Sequence, residues 1–184
     1  PDFDTPAHIR RAAKEAIEEG STRYTPVMGV PEIREAIASK LMRENHVEYA
    51  PDEITLGPGA KQCIYAALLA LCDSGDEVII PCPCWVSYTE MVRMAGGVPV
   101  AVRTAEDFSL DLAHIERAVT GRTKAVIINT PNNPTGAVYS KESLEELALL
   151  AQKHDFYVLS DEVYECMVYE GRTHVSVSAL SLSL

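Results

Sequence analysis

Two carboxylates follow the last apolar run of the sequence. Residues 156–160 form a strand-like run, and Asp161 and Glu162 come directly after it. A carboxylate at the end of a buried strand is costly unless a cation meets it. A protonated ring nitrogen would supply that charge. Magnesium, as in phosphate-loop nucleotidases, is the runner-up, but the Gly-Lys-Ser/Thr segment of such enzymes is absent from the sequence. A plain helix cap at Asp161 is the structural alternative.

A glycine-rich segment, Gly57-Pro58-Gly59-Ala60-Lys61-Gln62, opens a predicted helix. Glycines let backbone N–H groups approach an anion closely, and a helix N-terminus favours negative charge, so a phosphate would bind well here. The segment does not match the dinucleotide fingerprint, because Gln62 occupies the position of the third small residue. Taken alone, the segment is more typical of an ordinary glycine-rich strand-to-helix turn than of a phosphate site.

Trp85 and Asn133 also lie where predicted strands end. Trp85 is the only tryptophan, and such a residue is usually part of a core, although its face could stack on a flat ligand. Asn133 lies in the loop 129–136, which holds two prolines and ends in glycine. A rigid loop of this kind can direct the Asn133 amide at an oxygen atom.

The cysteines predict free thiols in a reducing cytoplasm. There are five of them, an odd number, and three lie inside apolar patterns. The pair Cys82-Pro83-Cys84 resembles half of a zinc site, but no second pair follows at zinc spacing. We therefore expect no metal site.

The elements that must position these residues alternate between strand and helix. Helical patterns near 6–19 and after Pro31 come first, and an irregular connector joins them. Apolar strand patterns then alternate with helical patterns, which is typical of a mainly parallel sheet covered by helices. The predicted strands are 53–56, 77–81, 98–102, 124–129 and 156–160, and the predicted helices between them are 60–72, 86–95, 111–119 and 141–153. We divide the chain into a helical lead-in, 1–50, and an α/β part, 51–184.

The composition of the 184 residues excludes several classes of protein. Hydrophobic residues make up 47%, which excludes a disordered chain, and a net charge of −11 disfavours nucleic acid as a partner. The longest apolar run, 63–72, is about half of the ~18 residues that a membrane span needs, and no targeting leader opens the sequence. Because the sequence starts at Pro1 and stops within an apolar alternation, we expect it to be a piece of a longer chain.

Four short motifs follow one another along the sequence: Gly59-Ala60-Lys61, Pro83-Cys84-Trp85, Asn133-Pro134-Thr135-Gly136 and Asp161-Glu162-Val163-Tyr164. In these motifs and their order the sequence resembles the class I/II aminotransferases. These are pyridoxal-phosphate enzymes of the aspartate aminotransferase superfamily. The stretch 24–34 also resembles the family's N-terminal Tyr-x-x-x-x-Gly-x-x-x-Leu-Arg segment. The resemblance implies a truncated, three-layer α/β large domain of the pyridoxal-phosphate-dependent transferase fold, preceded by the helical lead-in.

The resemblance also implies a role for each motif residue. The segment from Gly59 to Lys61 would hold the cofactor phosphate through the N–H groups of Ala60 and Lys61, and Trp85 would stack on the pyridine ring. Asn133 and Tyr164 would donate to the ring's phenolic oxygen. Asp161 would keep the ring nitrogen protonated. Tyr24 would reach the phosphate of a neighbouring subunit, which implies a homodimer with shared sites.

The sequence departs from the family at the catalytic lysine. In the family, a lysine well downstream of the Asp-x-x-Tyr motif forms a Schiff base with the cofactor. No lysine follows Asp161 in this sequence, so we identify no catalytic residue. Three interpretations remain open. The chain is the N-terminal half of an aminotransferase acting on amino acids and 2-oxo acids, a catalytically inactive cofactor-binding module, or a module that only mediates association.

Three structural expectations follow. Asn133 and Asp161 should face one crevice, because their strands are consecutive and joined by one helix. The Asn133–Pro134 peptide should be cis, as the family motif implies. The family's sheet has seven strands, and two of them follow the Asp-x-x-Tyr strand along the chain and lie beside it, so the resemblance implies a gap beside the 156–160 strand. An open apolar edge tends to pair, so we expect residues 178–184, the 53–56 strand or a second copy to fill this gap.

Overall fold

The computed structural model describes residues 3–180. Within this range the chain forms six α-helices and four β-strands. The helices are α1 (Ala7–Glu18), α2 (Pro31–Lys40), α3 (Ala60–Leu71), α4 (Ser87–Met94), α5 (Leu112–Ala118) and α6 (Lys141–His154), and the strands are β1 (Glu77–Cys82), β2 (Val98–Arg103), β3 (Thr123–Asn129) and β4 (Tyr157–Asp161). Each helix of residues 3–180 is too short or too polar to cross a membrane.

The four strands form one parallel sheet in the order β2-β1-β3-β4. β3 and β4 are neighbours, and their register pairs Asn129 with Asp161 at the carboxyl ends. The predicted parallel sheet is therefore confirmed, and the ends of the strands converge on one edge, where α/β proteins bind ligands.

Helices cover both faces of the sheet, which makes the three layers that the resemblance implied. Alternate residues of a strand point to opposite faces, so Ile79 packs towards α5 and α6, while Val78 and Ile80 pack towards α3 and α4. The run 125–128 of β3 is fully buried, as its unbroken apolar sequence predicts.

Polar caps set the limits of the two helices on the α5 and α6 face. The Asp111 carboxylate accepts from the His114 N–H at the start of α5, and Ser140 Oγ accepts from the Ser143 N–H at the start of α6. α6 ends at Asp155, which adopts a left-handed conformation (φ 56°) before the chain enters β4.

The prediction of a strand at 53–56 is wrong. Pro51–Glu53 form a single 3₁₀ turn, and Ile54 is buried in an extended conformation with no place in the sheet. The segment pairs with the lead-in instead, since the Leu56 N–H donates to the Met28 carbonyl at 3.0 Å. One backbone hydrogen bond fixes this extended segment without making it a strand.

The outer edge of β4 pairs with no strand in residues 3–180. The expected gap is therefore present, but neither local candidate fills it there. The 53–56 segment lies against the lead-in, and Val177–Ala179 form a 3₁₀ turn. Residues 181–184 of the expected filling segment lie outside the described residues.

Candidate functional site

A crevice of about 230 Å³ opens at the carboxyl ends of β3 and β4. It is lined by Ala60, Lys61, Trp85, Tyr88, Asn129, Asn133, Asp161, Val163 and Tyr164. The prediction that Asn133 and Asp161 share one crevice is confirmed. Seven of the lining residues belong to the motifs singled out in the sequence, and Gly59 immediately precedes the first of them.

Asp161 is buried, with 7% of its surface exposed. One carboxylate oxygen accepts from the Tyr88 hydroxyl at 2.6 Å, and the other accepts from the Val163 N–H at 3.2 Å. Within residues 3–180, no lysine, arginine or histidine forms an ion pair with this carboxylate. Neutral donors thus hold a buried negative charge at the crevice wall, and the charge lacks a cation.

Tyr88 is a site residue that the sequence analysis missed. It is 1% exposed on α4, and burial, reinforced by the hydrogen bond to Asp161, raises the pKa of its phenol far above the usual value. The phenol stays protonated and can only donate to the carboxylate. Its ring meets the Trp85 ring edge-on, with centroids 5.4 Å apart. The available signal was helical spacing, because Tyr88 follows Trp85 by three residues.

Asn129, the last residue of β3, is the second missed residue. Its buried amide Nδ2 donates to the Asp161 carbonyl at 2.9 Å, and its Oδ1 accepts from the Asn133 N–H at 2.7 Å. Asn129 therefore fixes the end of β4 and the start of the Asn133 loop in relation to each other. Its position at the end of an apolar strand was the signal for this role.

The Asn133 loop is stiff and internally bonded. The Asn133–Pro134 peptide is cis, as predicted, and the Thr130–Pro131 peptide is also cis. Asn132 Oδ1 accepts from both the N–H and the hydroxyl of Thr135, while the Gly136 N–H closes on the Asn132 carbonyl. Asn133 itself is half-buried and lines the crevice.

The N-terminus of α3 forms the opposite wall. Gly59 precedes the helix with φ of 91°, a conformation that L side chains rarely adopt, and Ala60 and Lys61 line the crevice. Across residues 3–180, no protein acceptor receives the backbone N–H of Ala60 or Lys61. The Lys61 ammonium lies 4.8 Å from the centroid of the Trp85 ring, so this wall presents positive charge beside an aromatic face.

Residues 1–183 match the family model described as aminotransferase class I and II. The chain belongs to this family.

Several relatives support the assignment. The aspartate/prephenate aminotransferase of Thermus thermophilus is 54% identical over 93% of this chain, which spans 45% of that relative. The aspartate aminotransferase of Bacillus subtilis is 44% identical over 98% of this chain and 47% of its own length. This aminotransferase chain thus spans about half the length of the curated relatives it matches.

Solved structures agree with the fold. A single mutant of the T. thermophilus aspartate aminotransferase superposes with a TM-score of 0.95 at 51% identity, over 98% of this chain and 48% of that one. An aromatic aminotransferase from Pyrococcus horikoshii gives 0.95 at 47% identity, over 98% and 49%. The predicted fold class is confirmed.

Two motif tyrosines of this aminotransferase chain lie in different surroundings. Tyr164 lines the crevice with Asp161, and its predicted contact with the cofactor stays a prediction. Tyr24 is fully exposed in the connector between α1 and α2 and is not among the residues that line the crevice. Its role towards a neighbouring subunit stays a prediction, as does the division of the chain at residues 50 and 51.

Glu162 points away from the crevice and anchors the turn after β4. Its carboxylate accepts from Ser160 Oγ at 2.8 Å and Ser176 Oγ at 3.0 Å, and lies 3.2 Å from His174 Nε2. Burial raises the pKa of Glu162, but the hydrogen bonds from His174, Ser160 and Ser176 outweigh burial and hold that pKa below its usual value. The ionised side chain ties the turn to the segment 174–177.

Glu162, Glu165 and His174 place ligand-type atoms within 4.8 Å of one another. The Glu165 carboxylate is already paired with the Lys40 ammonium and accepts from the Asn45 amide at 2.7 Å. These contacts connect the turn after β4 to the lead-in, and the arrangement is explained by ion pairing.

Proposed function

We propose that the whole protein is an aminotransferase that moves an amino group between an amino acid and a 2-oxo acid with pyridoxal 5′-phosphate, and that this chain supplies much of the cofactor site. One observation carries the proposal. The buried carboxylate of Asp161, which pairs with no cationic side chain of residues 3–180, shares a crevice with the N-terminus of α3. A ligand with a cationic ring at one end and a phosphate at the other complements the charge of both walls of the crevice.

Asp161 fits the ring end. Its carboxylate would pair with the protonated ring nitrogen, and the Tyr88 hydroxyl and the Val163 N–H hold the carboxylate in place for that contact. Pyridoxal phosphate, when bound, supplies an electron sink for the charge left when a substrate loses its α-proton. A carboxylate at this position would favour the protonated form of the ring nitrogen, which that sink requires.

The N-terminus of α3 fits the phosphate end. The N–H groups of Ala60 and Lys61 would donate to phosphate oxygens, and the helix dipole favours the negative charge. The Lys61 ammonium adds positive charge on the same wall.

Trp85, Asn133 and Tyr164 would orient the ring between these two ends. Trp85 offers an aromatic face, and its contact with Tyr88 fixes the plane of that face. Asn133 would donate its amide, and Tyr164 its hydroxyl, to the phenolic oxygen. Both side chains line the crevice on the side of β3 and β4.

The names of the relatives suggest the substrates to try first. Several relatives are aspartate aminotransferases, and one T. thermophilus enzyme is named for aspartate and prephenate. We propose aspartate as the first amino donor to test in the whole protein. A cytoplasmic homodimer, in which Tyr24 reaches the phosphate held by the neighbouring subunit, completes the proposal. The five free thiols suit a reducing compartment.

Ligand binding by the 184-residue chain tests the proposal. Pyridoxamine 5′-phosphate is a suitable probe, because it has the ring and the phosphate but no aldehyde that would react with surface lysines. Trp85 is the only tryptophan, so quenching of its fluorescence reports binding in the crevice. We expect saturable quenching at one molecule per chain.

Asp161→Asn should weaken binding of this probe by about tenfold or more, an energy of ~1.4 kcal/mol, because the ring nitrogen loses its charged partner. Asp155→Asn is the matched control. It makes the same change at an exposed residue after α6, where asparagine also tolerates a left-handed backbone. Absence of saturable binding to the folded chain would contradict the proposal and favour a module that only mediates association.

A further inference from the structure

Cys82 and Cys84 form a thiol pair that the proposed cofactor site does not use. They flank Pro83 at the end of β1, directly before Trp85. Their sulfur atoms are 3.7 Å apart, with the Cys82 thiol donating to Cys84, and both side chains are half-buried. Two sulfurs bonded at ~2.3 Å to one tetrahedral atom lie ~3.8 Å apart, and the narrower bond angle of a pyramidal, three-coordinate atom brings them somewhat closer. The fold therefore holds the two sulfurs near the separation at which a single atom can bridge them, and a small inward movement completes the approach.

The protonation state of Cys84 restricts which ligand the pair can take. Burial, reinforced by Cys82, raises the pKa of Cys84 to about 12, so the thiol stays neutral near pH 7. Neutral thiols are slow nucleophiles and are oxidised slowly. A divalent metal ion must displace protons from its thiol ligands, and such displacement is costly here. The only group of three or more potential metal-ligating residues in residues 3–180 is Glu162, Glu165 and His174, so this pair has no third ligand.

We propose that Cys82 and Cys84 form a two-thiol binding site for trivalent arsenic compounds. An arylarsenic(III) oxide condenses with two thiols. Two As–S bonds form, two S–H bonds and the arsenic–oxygen bond break, and the two protons leave with the oxygen as one water molecule. Arsenic stays trivalent and no electrons are transferred, so neither an oxidant nor a separate base is consumed. An adjacent pair of thiols in which Cys84 stays protonated suits this reaction better than it suits metal binding.

The other cysteines provide internal controls. Cys63 and Cys166 are exposed and Cys72 is buried. In the described residues, no sulfur–sulfur contact other than that of Cys82 with Cys84 occurs. Trp85 follows Cys84 directly, so arsenic bound to the pair should quench the chain's single tryptophan.

Phenylarsine oxide tests the site. We expect one arylarsenic group per chain by intact mass, loss of one water molecule in the reaction, quenched Trp85 fluorescence and reversal by 1,2-ethanedithiol. Cys82→Ser and Cys84→Ser should each weaken capture at least ~100-fold, because one As–S bond alone does not retain the group. Cys63→Ser and Cys166→Ser should bind like the parent chain. Equal capture by the Cys84→Ser and Cys166→Ser variants would overturn the proposal.

A second measurement needs no variant. If the fold pre-positions the thiols, the folded chain should bind phenylarsine oxide about tenfold or more tightly than the same chain in urea, since pre-organisation lowers the cost of binding. Weaker binding by the folded chain would mean that the fold shields the pair, which would also overturn the proposal.

Discussion

The Tyr88 hydroxyl donates to the Asp161 carboxylate at 2.6 Å, and this bond joins α4 to the end of β4. Both residues are buried. Because the phenol remains protonated, the contact is a hydrogen bond from a neutral donor to a charged acceptor, which is stronger than one between neutral groups. Tyr88 therefore stabilises the charge at the crevice wall and also positions the ring of Trp85.

Tyr88→Phe should lower the free energy of unfolding by roughly 2 kcal/mol, because it leaves a buried carboxylate without its shortest hydrogen bond. Urea unfolding at pH 7 measures the loss. Tyr139→Phe is the matched control. Tyr139 is also a buried tyrosine, but no hydrogen bond to its hydroxyl is found in residues 3–180, and its removal should cost less than ~1 kcal/mol. Equal losses in the two variants would contradict the role given to the contact with Asp161.

Asn129→Asp should destabilise the chain by roughly 3 kcal/mol. The substitution keeps the acceptor for the Asn133 N–H but removes the donor to the Asp161 carbonyl, and it buries a second negative charge beside Asp161. Asn132→Asp is an isosteric control, since Asn132 uses only its oxygen, towards Thr135. We expect a much smaller loss in that variant, measured by urea unfolding. Equal effects would mean that the amide donor of Asn129 contributes little.

Glu162 should make the free energy of unfolding depend on pH in the acidic range. Hydrogen bonds from His174, Ser160 and Ser176, which outweigh burial, place its pKa in the folded chain below the ordinary value of 4.5. A carboxylate with a lowered pKa contributes stability above the unfolded pKa and loses it as the pH falls through the folded pKa. The stability difference between the parent chain and Glu162→Gln should therefore be constant near pH 7 and shrink as the pH falls below about 4.5. Glu35→Gln, at an exposed position of α2, should give no such trend.

The elements that the sequence predicted correctly depend on local signals. The apolar run 125–128 could only be a strand buried on both faces, and Ser140 marks the start of α6. Asp161 was identified because a carboxylate after a buried strand requires a partner. The polar ends of these strands meet at one sheet edge because the strands are parallel. The sequence pattern was therefore sufficient to predict that Asn133 and Asp161 lie close together.

The missed features depend on packing between distant segments. Nothing within α4 indicates that the Tyr88 hydroxyl reaches β4, because that contact exists only once the helix packs on the sheet. The roles of Asn129 likewise depend on the register with Asp161. The 53–56 segment has strand-like residues, but its neighbour is the connector at Met28, and sequence periodicity carries no information on that partner.

Gly29→Ala should destabilise the connector. A Cβ at this position would clash with Leu56 Cδ1, and the backbone has φ of 96°. Gly20→Ala is the matched control, because Gly20 has φ of 80° and nothing within 4 Å of the added carbon. Backbone strain should cost each variant ~1–2 kcal/mol, and the contact with Leu56 should cost Gly29→Ala roughly 1–3 kcal/mol more. Chemical denaturation measures both, and equal losses would show that Leu56 moves aside at no cost.

The outer edge of β4 should drive self-association of the 184-residue chain. This edge meets no strand in residues 3–180, and Tyr157, Val163 and Met167 leave more than half of their surfaces exposed on and just beyond the strand. An unpaired edge with apolar neighbours is a template for another strand, and a lysine on such an edge opposes pairing. Tyr157→Lys should therefore shift sedimentation velocity profiles from dimers or larger species towards monomer.

Val98→Lys makes a comparable change on β2, the strand at the opposite edge, where Val98 is also exposed. We expect it to leave association unchanged, because β2 contains Pro99 and ends in Arg103, and proline and charged side chains already oppose pairing at an edge. A parent chain that sediments as a monomer at micromolar concentration, with fast amide exchange along 157–161, would contradict this prediction.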